Sequence, residues 1–317
     1  MDLAQWPTFW LSALFSLGLT LLFAGGHALV HGSSRLARIL GIHPIVVGLT
    51  IVALGTSMPE FLVSMVAALK NKADIALGNI VGSNIANIGL ILGISALARP
   101  IEVHLKLLKF EVPLVVGVST YFWIICLNGT LSRIDGITLA IGFVIYLIVV
   151  IKGAKKNSHV LEKKYNPIEN ETKSMAINTI LILLGIIGLT YGAKWTVEAA
   201  SEFSRRLGVS ELILGLTVVA LGTSLPELAT SVVAAVKKEG DISIGNIFNM
   251  MAIAGPTAAV HPLQVSKELI FEKLPAMLVL TIILWPMLGT GRKLGRVQGS
   301  FLLLGYIALM MWWLIKL

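Results

Sequence analysis

Residues 48–79, GLTIVALGTSMPEFLVSMVAALKNKADIALGN, and residues 215–246, GLTVVALGTSLPELATSVVAAVKKEGDISIGN, are two copies of one segment. The copies align without a gap at a constant offset of 167, and 20 of their 32 positions are identical. Each copy carries one acid, Glu60 or Glu227, inside a long apolar run. A charged side chain at the depth of a bilayer centre costs at least ~2.5 kcal/mol, so it usually serves a function. Two acids at matching positions therefore indicate one shared cation site.

The composition is typical of a membrane protein with several spans. Of the 317 residues, 56% are hydrophobic and 13% are charged, and the mean hydropathy is +0.86. Globular domains carry about 25% charged residues. The net charge of +8 does not indicate nucleic-acid binding, because the positive residues are spread through short loops. A single cysteine, Cys126, excludes an intramolecular disulfide.

Apolar runs of about 20 residues predict about ten spans. The spans are 8–30, 42–69, 75–98, 107–127, 134–151, 175–201, 209–236, 242–262, 269–289 and 297–315. Residues 1–7 contain no Lys or Arg, unlike the start of a secretory signal, so we interpret the first span as retained. The polar stretch 154–174 predicts a linker between a first half, 1–153, and a second half, 175–317.

An odd number of spans in each half obliges the second half to enter the membrane upside down relative to the first. This arrangement is the inverted repeat of secondary transporters. We therefore expect an all-α membrane protein of two inverted five-helix repeats, with broken helices 2 and 7 at the centre. Lys and Arg are about twice as numerous on the linker side as on the other side. This bias predicts a multi-pass protein of the plasma (inner) membrane, with a cytoplasmic linker and both termini outside.

The repeated segment predicts oxygen ligands at mid-membrane. Pro59 and Pro226 cannot donate a backbone hydrogen bond and crowd the carbonyl four residues earlier, so each helix should break there. Irregular backbone at that depth is tolerated only where it is buried or lines a wet cavity. An all-oxygen set suits hard cations such as Ca²⁺ or Na⁺. The expected oxygens are carbonyls of 53–56 and 220–223, the hydroxyls of Thr56, Ser57, Thr223 and Ser224, and the two carboxylates.

The span that follows the first copy adds further polar groups. In GNIVGSNIANIG, residues 78–89, Ser83 and Asn87 are four residues apart and therefore share a helix face. Two facing carboxylates repel each other, and either one Ca²⁺ or two to three Na⁺ neutralise them. Both ions need the same carboxylates, so they compete. Competition at one site under alternating access gives antiport.

At these residues the chain resembles the sodium/calcium exchanger family of the calcium/cation antiporter superfamily, prokaryotic type. The resemblance rests on GTSMPE at 55–60 and GTSLPE at 222–227, each in a helix followed by a span containing GN. It implies exchange of Ca²⁺ for Na⁺ as transported ions, without a cofactor, and a first and sixth helix that slide across a static core. The implied ligands are Glu60, Glu227, Thr56, Thr223, Ser57, Ser224, Ser83, Asn87 and Asn249, with the carbonyls of Ala53 and Ala220.

The second copy is followed by a span that is five residues shorter. DIALGNIVGSNIANIGLILG (74–93) corresponds to DISIGNIFNMMAIAG (241–255), and the offset falls from 167 at Asp241 to 162 at Asn249. Gly245 then occupies the position that mirrors Ser83. Five residues of α-helix correspond to ~7.5 Å of length and roughly 140° of rotation. Either Asn249 or the preceding loop must therefore be displaced.

Alternative readings of the sequence stay open. Protons compete for the same acids, so a cation/proton antiporter of this fold is one alternative, and a homologue whose transport is impaired by the gap is another. The acids can also be structural charges, and Ser83, Asn87 and Asn249 can form ordinary hydrogen bonds between helices. An intramembrane hydrolase would need a base beside Ser57 or Ser224, and no histidine stands there. We therefore do not expect an enzyme.

Overall fold

The computed structural model describes residues 3, 5–39, 57–103, 105, 107–156, 171–225, 227, 228, 231 and 244–316. Among these residues, seven helices are long and apolar enough to cross a membrane. They are Thr8–Leu36, Ala73–Ala98, Leu108–Cys126, Arg133–Lys152, Met175–Leu207, Leu269–Gly289 and Arg296–Ile315. The other three expected spans, 42–69, 209–236 and 242–262, are described in part and are helical where described. The chain is thus an all-α membrane protein, as its sequence predicts.

The first half consists of helices and two short strands. Its elements are α1 (Thr8–Ile39), α2 (Met58–Leu69), α3 (Ala73–Ala86), π1 (Asn87–Ile91), α4 (Leu92–Ala98), β1 (Ile101–Glu102), π2 (Leu107–Glu111), α5 (Val112–Cys126), β2 (Thr130–Leu131) and α6 (Arg133–Lys156). The π segments are wide helical turns inserted in longer helices, so α3, π1 and α4 form one continuous span.

From α10 onward, the second half has the same order of helices, π segments and strands as the first half has from α3, with one additional 3₁₀ turn. Its elements are α7 (Glu171–Leu207), α8 (Glu211–Leu214), π3 (Gly215–Val219), α9 (Ala220–Thr223), α10 (Ile244–Ile247), π4 (Phe248–Ile253), α11 (Ala254–Val260), β3 (Leu263–Gln264), π5 (Leu269–Lys273), α12 (Leu274–Gly289), a 3₁₀ turn (Thr290–Arg292), β4 (Lys293–Leu294) and α13 (Arg296–Ile315). π5 follows π2, and β3 follows β1, at an offset of 162. The repeat that is seen in the sequence is therefore also present in the positions of these π segments and short strands.

The short strands join the two halves reciprocally. β1 pairs antiparallel with β4, with Ile101 opposite Leu294, and β2 pairs antiparallel with β3, with Thr130 opposite Gln264. By position in the repeat, β3 is the counterpart of β1, and β4 is the counterpart of β2. Each of the two pairings therefore joins one strand of the first half to one strand of the second half, and the two pairings are equivalent by position in the repeat.

The two longest helices, α1 and α7, pack closely through glycines. A Cβ atom on Gly25 would lie 2.8 Å from the carbonyl oxygen of Gly185, and a Cβ atom on Gly185 would lie 2.8 Å from that of Gly25. A Cβ atom on Gly192 would likewise lie 2.8 Å from the carbonyl oxygen of Gly18. No larger residue fits at such distances, so these small residues allow the backbones to touch.

Helix α3 lies at the centre of the molecule. Every residue from Ile75 to Ala86 is buried, and α3 packs against α2, α8, π3 and α9. A helix that is surrounded by protein on all sides normally carries apolar residues on every face. Here three polar residues are buried in it, namely Asn79, Ser83 and Asn84. Their placement brings side-chain amides and a hydroxyl into the centre, next to both copies of the repeated segment.

Candidate functional site

Glu60 lies in the first turn of α2 with only 1% of its surface exposed. The helix begins at Met58, and Pro59 occupies its first turn, where a missing N–H costs no hydrogen bond. Ser57 precedes it with φ −88° and ψ 6°, outside helical values. The first turn of a helix carries free N–H groups and partial positive charge, which favours an acid there. In the described residues, the helix that contains Pro59 therefore begins directly after Ser57.

The second copy has similar backbone angles at the matching serine. α9 ends at Thr223, and Ser224 follows with φ −84° and ψ 5°. The N–H of Leu228 donates to the carbonyl of Ser224 at 3.0 Å, as the N–H of Phe61 donates to the carbonyl of Ser57 at 3.0 Å. Pro226 lies outside the described residues. The two serines thus have the same non-helical conformation at matching positions of the repeat.

The two copies exchange hydrogen bonds at these interruptions. The Ser57 hydroxyl donates to Glu227 Oε1 at 3.2 Å, and the Ser224 hydroxyl donates to Glu60 Oε1 at 3.0 Å. Each acid is therefore held by the serine of the other copy. The sequence prediction that the two acids meet at one place agrees with this geometry.

Helix α3 and π1 contribute further oxygens. Ser83 Oγ lies 3.1 Å from Ser224 Oγ, so Ser83 extends the contact between Ser224 and Glu60. Asn87 begins π1 and is buried. Among the described residues, Glu60 Oε2 and Asn87 Oδ1 are buried oxygens without a hydrogen-bond partner. Buried acceptors normally have partners, so the unpaired oxygen of Glu60, close to the second carboxylate, suits a cation, whereas no contact joins Asn87 to either acid among the described residues.

Asn79 is a buried residue of the site that the sequence analysis missed. Its Nδ2 group donates to the carbonyl oxygen of Glu60 at 3.1 Å and to Ser64 Oγ at 2.9 Å. Its Oδ1 atom accepts from the Thr223 hydroxyl at 2.9 Å. The available signal was the dipeptide GN, which ends both copies of the repeated segment at Asn79 and Asn246.

Two expected ligands of the second copy are engaged within the protein. The Thr223 hydroxyl, with one proton to give, donates to Asn79. The carbonyl oxygen of Ala220 accepts the N–H of Ser224 at 3.0 Å and lies 3.2 Å from Thr223 Oγ1. The sequence analysis expects a freed carbonyl at Ala220, whereas in the structure this oxygen accepts a helical hydrogen bond, because α9 remains helical up to Thr223. A carbonyl oxygen has two lone pairs, so its use as an ion ligand stays a prediction. Ala53 and Thr56, the corresponding expectations in the first copy, lie outside the described residues.

The structure decides which part of the shortened span is displaced. π4, which contains Asn249, mirrors π1 at the offset of 162, and Asn249 is buried with 3% exposed. A Cβ atom on Gly245 would lie 3.0 Å from Asn87 Nδ2, and the Asn246 amide donates to the carbonyl of Asn84 at 3.3 Å. Asn249 therefore keeps its mirrored register. The described chain from Ile244 onward thus follows the offset of 162, and the loop before it lies outside the described residues.

The site as described is a set of neutral oxygen groups around two acids. In the described part of the chain, no group of three or more His, Cys, Asp or Glu residues is placed to hold a metal. Hydroxyl, amide and carboxylate oxygens are hard ligands, which suit Ca²⁺ or Na⁺ and are poor ligands for soft metals. The chemistry of these groups therefore suits the binding of a hard cation.

Comparisons with known proteins agree with this chemistry. A family profile described as sodium/calcium exchanger protein matches residues 10–152 and 177–315. The chain is 34% identical over 316 residues to the inner membrane protein YrbG of Escherichia coli (strain K12), which covers 96% of this chain and 97% of that protein. It is 30% identical over 332 residues to the sodium/calcium exchanger MaX1 of Methanosarcina acetivorans, and this match covers 92% of this chain and 95% of that protein.

A solved structure is similar over nearly the full length. It is the sodium-calcium exchanger NCX_Mj soaked with 2.5 mM Na⁺ and 10 mM Sr²⁺, which matches with a TM-score of 0.66 and 32% sequence identity. The match covers 96% of this chain and 99% of that one. The structural match therefore covers both halves of the chain, and the two acids are contributed by these halves.

Proposed function

This chain belongs to the sodium/calcium exchanger protein family, a family of membrane antiporters, and we propose that it exchanges Ca²⁺ for Na⁺ by alternating access. The observation that carries the proposal is the exchange of hydrogen bonds at Ser57 and Ser224, which brings Glu60 and Glu227 to one place. Two carboxylates together match the charge of one Ca²⁺. Two or three Na⁺ at the same oxygens replace it.

The proposed ligand set combines the two acids with neutral oxygens of both halves. It consists of Glu60, Glu227, Thr56, Thr223, Ser57, Ser224, Ser83, Asn87 and Asn249, with the carbonyls of Ala53 and Ala220. Ca²⁺ takes six to eight oxygens at 2.3–2.6 Å. The proposed set is therefore large enough to bind one Ca²⁺ while access to the site changes from one side of the membrane to the other. The Thr223 hydroxyl can keep donating to Asn79 while its oxygen lone pairs bind the ion, and the carbonyl of Ala220 has a second lone pair for the ion.

The same acids support a second candidate, a cation/proton antiporter of the same fold. Glu60 Oε2 is buried without a hydrogen-bond partner among the described residues, and a buried carboxylate oxygen of this kind can also be protonated. We favour Na⁺ because hydroxyl and amide oxygens surround the acids, and these groups serve a metal cation but are not needed by a proton. A transport-impaired protein is the third outcome, but Asn249 keeps its register despite the gap.

Ion flux distinguishes these candidates. The purified protein, reconstituted in liposomes, is given external Ca²⁺ and an outward gradient of either Na⁺ or protons, with the double variant E60Q/E227Q as control. We expect Ca²⁺ uptake driven by Na⁺ and abolished in the control. Uptake driven by protons alone would favour the second candidate, and no uptake with either gradient would overturn exchange activity.

We also propose the inverted arrangement of residues 1–153 and 175–317 around a cytoplasmic linker, 154–174, in the plasma (inner) membrane. The two stretches matched by the family profile fall on these two halves, and the reciprocal pairing of the short strands supports a symmetric relation. Cys126 is buried, so a Cys126→Ser background leaves single introduced cysteines as probes. A cysteine at Lys163 should react with a membrane-impermeant maleimide only from the cytoplasm, and one at Lys316 only from outside. Labelling of both from the same side would contradict the topology.

A further inference from the structure

A cavity lies between the continuous span α3–π1–α4 and the helices α5 and α12. Its volume is about 50 Å³, measured as the space open to the centres of water molecules. The chain follows this cavity from Asn87 to Leu92 and from Thr281 to Leu288, and both stretches lead towards the strand pair of β1 and β4. The amides of Asn87 and Asn246 therefore line one end of the cavity, and the strands line the other end.

The amide end of the cavity presents two buried acceptors. Asn87 and Asn246 are 7% and 5% exposed, and the Oδ1 atom of each is buried without a hydrogen-bond partner among the described residues. The Asn246 Nδ2 group donates to the carbonyl oxygen of Asn84 at 3.3 Å, which holds this amide in its orientation. Buried acceptors normally have a partner. This end of the cavity therefore favours an occupant that donates a hydrogen bond.

The remaining wall of the cavity is apolar. Of the thirteen described residues that line it, nine are Ile, Leu or Val. Thr281 also lines the cavity, but its hydroxyl donates to the carbonyl oxygen of Met277 at 2.8 Å. A buried water needs two to four polar partners. Water is therefore well held only at the amide end, and the rest of the space suits hydrocarbon.

The strand end of the cavity reaches the surface at Glu102, which is exposed. Glu102 stands opposite Lys293 in the register of β1 and β4, so charges of both signs lie at this end. Such an opening favours neither cations nor anions and admits a neutral molecule. One water takes roughly 10–15 Å³ of a volume measured in this way, so the cavity has room for about three to five waters or for about four or five non-hydrogen atoms of one molecule.

We propose that this cavity is a binding site for a neutral short-chain alcohol. The hydroxyl donates to an amide oxygen at the inner end, and the hydrocarbon chain lies against the aliphatic wall. Ligand sites in proteins are typically concave and apolar, with a few polar groups that fix the orientation of the ligand. Asn87 also belongs to the proposed ion ligands, so an alcohol beside it restricts this amide and inhibits exchange. The inhibition rests on the proposed function, whereas the binding of the alcohol does not.

The first experiment locates the alcohol directly. Crystals of the purified chain are soaked with 2-bromoethanol, and the anomalous scattering of bromine marks its position. We expect a bromine peak beside Leu284 in the wild-type chain and no peak there in Leu284→Phe, because the larger side chain fills the cavity. The matched control is Ile282→Phe on the same helix, since Ile282 is 46% exposed and is not part of the cavity wall. An empty cavity in the wild-type crystals would overturn the inference, whether or not Leu284→Phe folds.

The second experiment tests the hydrogen bond through Ca²⁺ exchange in liposomes. 1-Butanol and methyl propyl ether consist of the same atoms and are nearly equal in size, but only the alcohol carries an O–H donor. We expect the alcohol to inhibit exchange at a concentration about fivefold lower than the ether, the usual effect of one hydrogen bond. Equal potency of the two compounds would overturn the proposed recognition by the amides.

The same variants separate the cavity from the bilayer, into which both compounds also partition. Leu284→Phe should raise the inhibitory concentration of 1-butanol at least about tenfold, because the methylenes lose their apolar site, and Ile282→Phe should not change it. An unchanged inhibitory concentration in Leu284→Phe would assign the inhibition to the bilayer and overturn the inference. Bromine in the cavity of a chain that exchanges no Ca²⁺ would instead count against the proposed function alone.

Discussion

The two copies of the repeated segment have the same sequence motif and the same local backbone but different surroundings. Ser57 and Ser224 have nearly identical dihedral angles, and each donates to the acid of the other copy. Behind Glu60 stands Asn79 with three hydrogen bonds, whereas Asn246 has moved to Asn84. The comparison shows that the motif determines the backbone angles of its own serine. The contacts of the asparagine at the end of the motif depend instead on the register of the next helix.

The largest expected effect tests what the two halves share. Glu60→Gln and Glu227→Gln each remove one of two charges that match Ca²⁺ while keeping side-chain shape. We expect each to weaken Ca²⁺ binding at least about thirtyfold, because removal of one partner from a buried charge interaction costs about 2–5 kcal/mol. Exchange in liposomes and ⁴⁵Ca²⁺ binding in detergent measure the loss. Wild-type binding in either single variant would remove that acid from the site.

A smaller effect tests how the halves differ. Glu60→Asp and Glu227→Asp each withdraw a carboxylate by roughly 1.5 Å, about one carbon–carbon bond. The Asn79 amide donates to the backbone carbonyl of Glu60 and restrains it, whereas the Asn246 amide donates to the carbonyl of Asn84. We expect Glu60→Asp to raise the half-maximal Ca²⁺ concentration about tenfold, or about 1.4 kcal/mol, and we expect this effect to depend on Asn79.

The control for the aspartate pair is Asn79→Ala combined with each substitution. Without Asn79, the backbone of Glu60 is no longer restrained by this amide, so the effect of Glu60→Asp should become smaller, whereas the effect of Glu227→Asp should not change. An effect of Glu60→Asp that is the same with and without Asn79 would show that this amide does not position the acid.

The sequence predicts much of the fold because length and apolarity determine membrane spans. The expected span 269–289 coincides with π5 and α12, and the expected span 107–127 ends within one residue of Cys126. Ser57 and Ser224 were predictable for a similar reason, since proline fixes where a helix can begin. These features depend on residues close together in the chain.

The missed features depend on contacts between distant residues. Asn79 contacts Thr223, 144 positions away, and no local pattern separates such an asparagine from one that bonds within its own helix, as Asn84 does with Ile80. The carbonyl of Ala220 stays bonded because the helix persists through Thr223, although Pro226 lies three residues later. The direction of the shift at the gap was also undecided, because both a displaced Asn249 and a displaced preceding loop are compatible with helix geometry alone.

The smallest expected effect concerns Gly245, which occupies the mirrored position of Ser83. The Asn87 amide fills the space that a side chain would take, since a Cβ atom on Gly245 would lie 3.0 Å from Asn87 Nδ2. Gly245→Ala should therefore push Asn87 by a few tenths of an ångström and raise the half-maximal Ca²⁺ concentration about two- to fivefold, less than ~1 kcal/mol. Gly245→Ser has the same Cβ atom but adds the oxygen that Ser83 provides in the other half. If the second half is limited by missing oxygen groups, serine should recover part of the loss caused by alanine, in Ca²⁺ and Sr²⁺ exchange alike. A serine variant weaker than the alanine variant would show that Gly245 serves only to make room for Asn87.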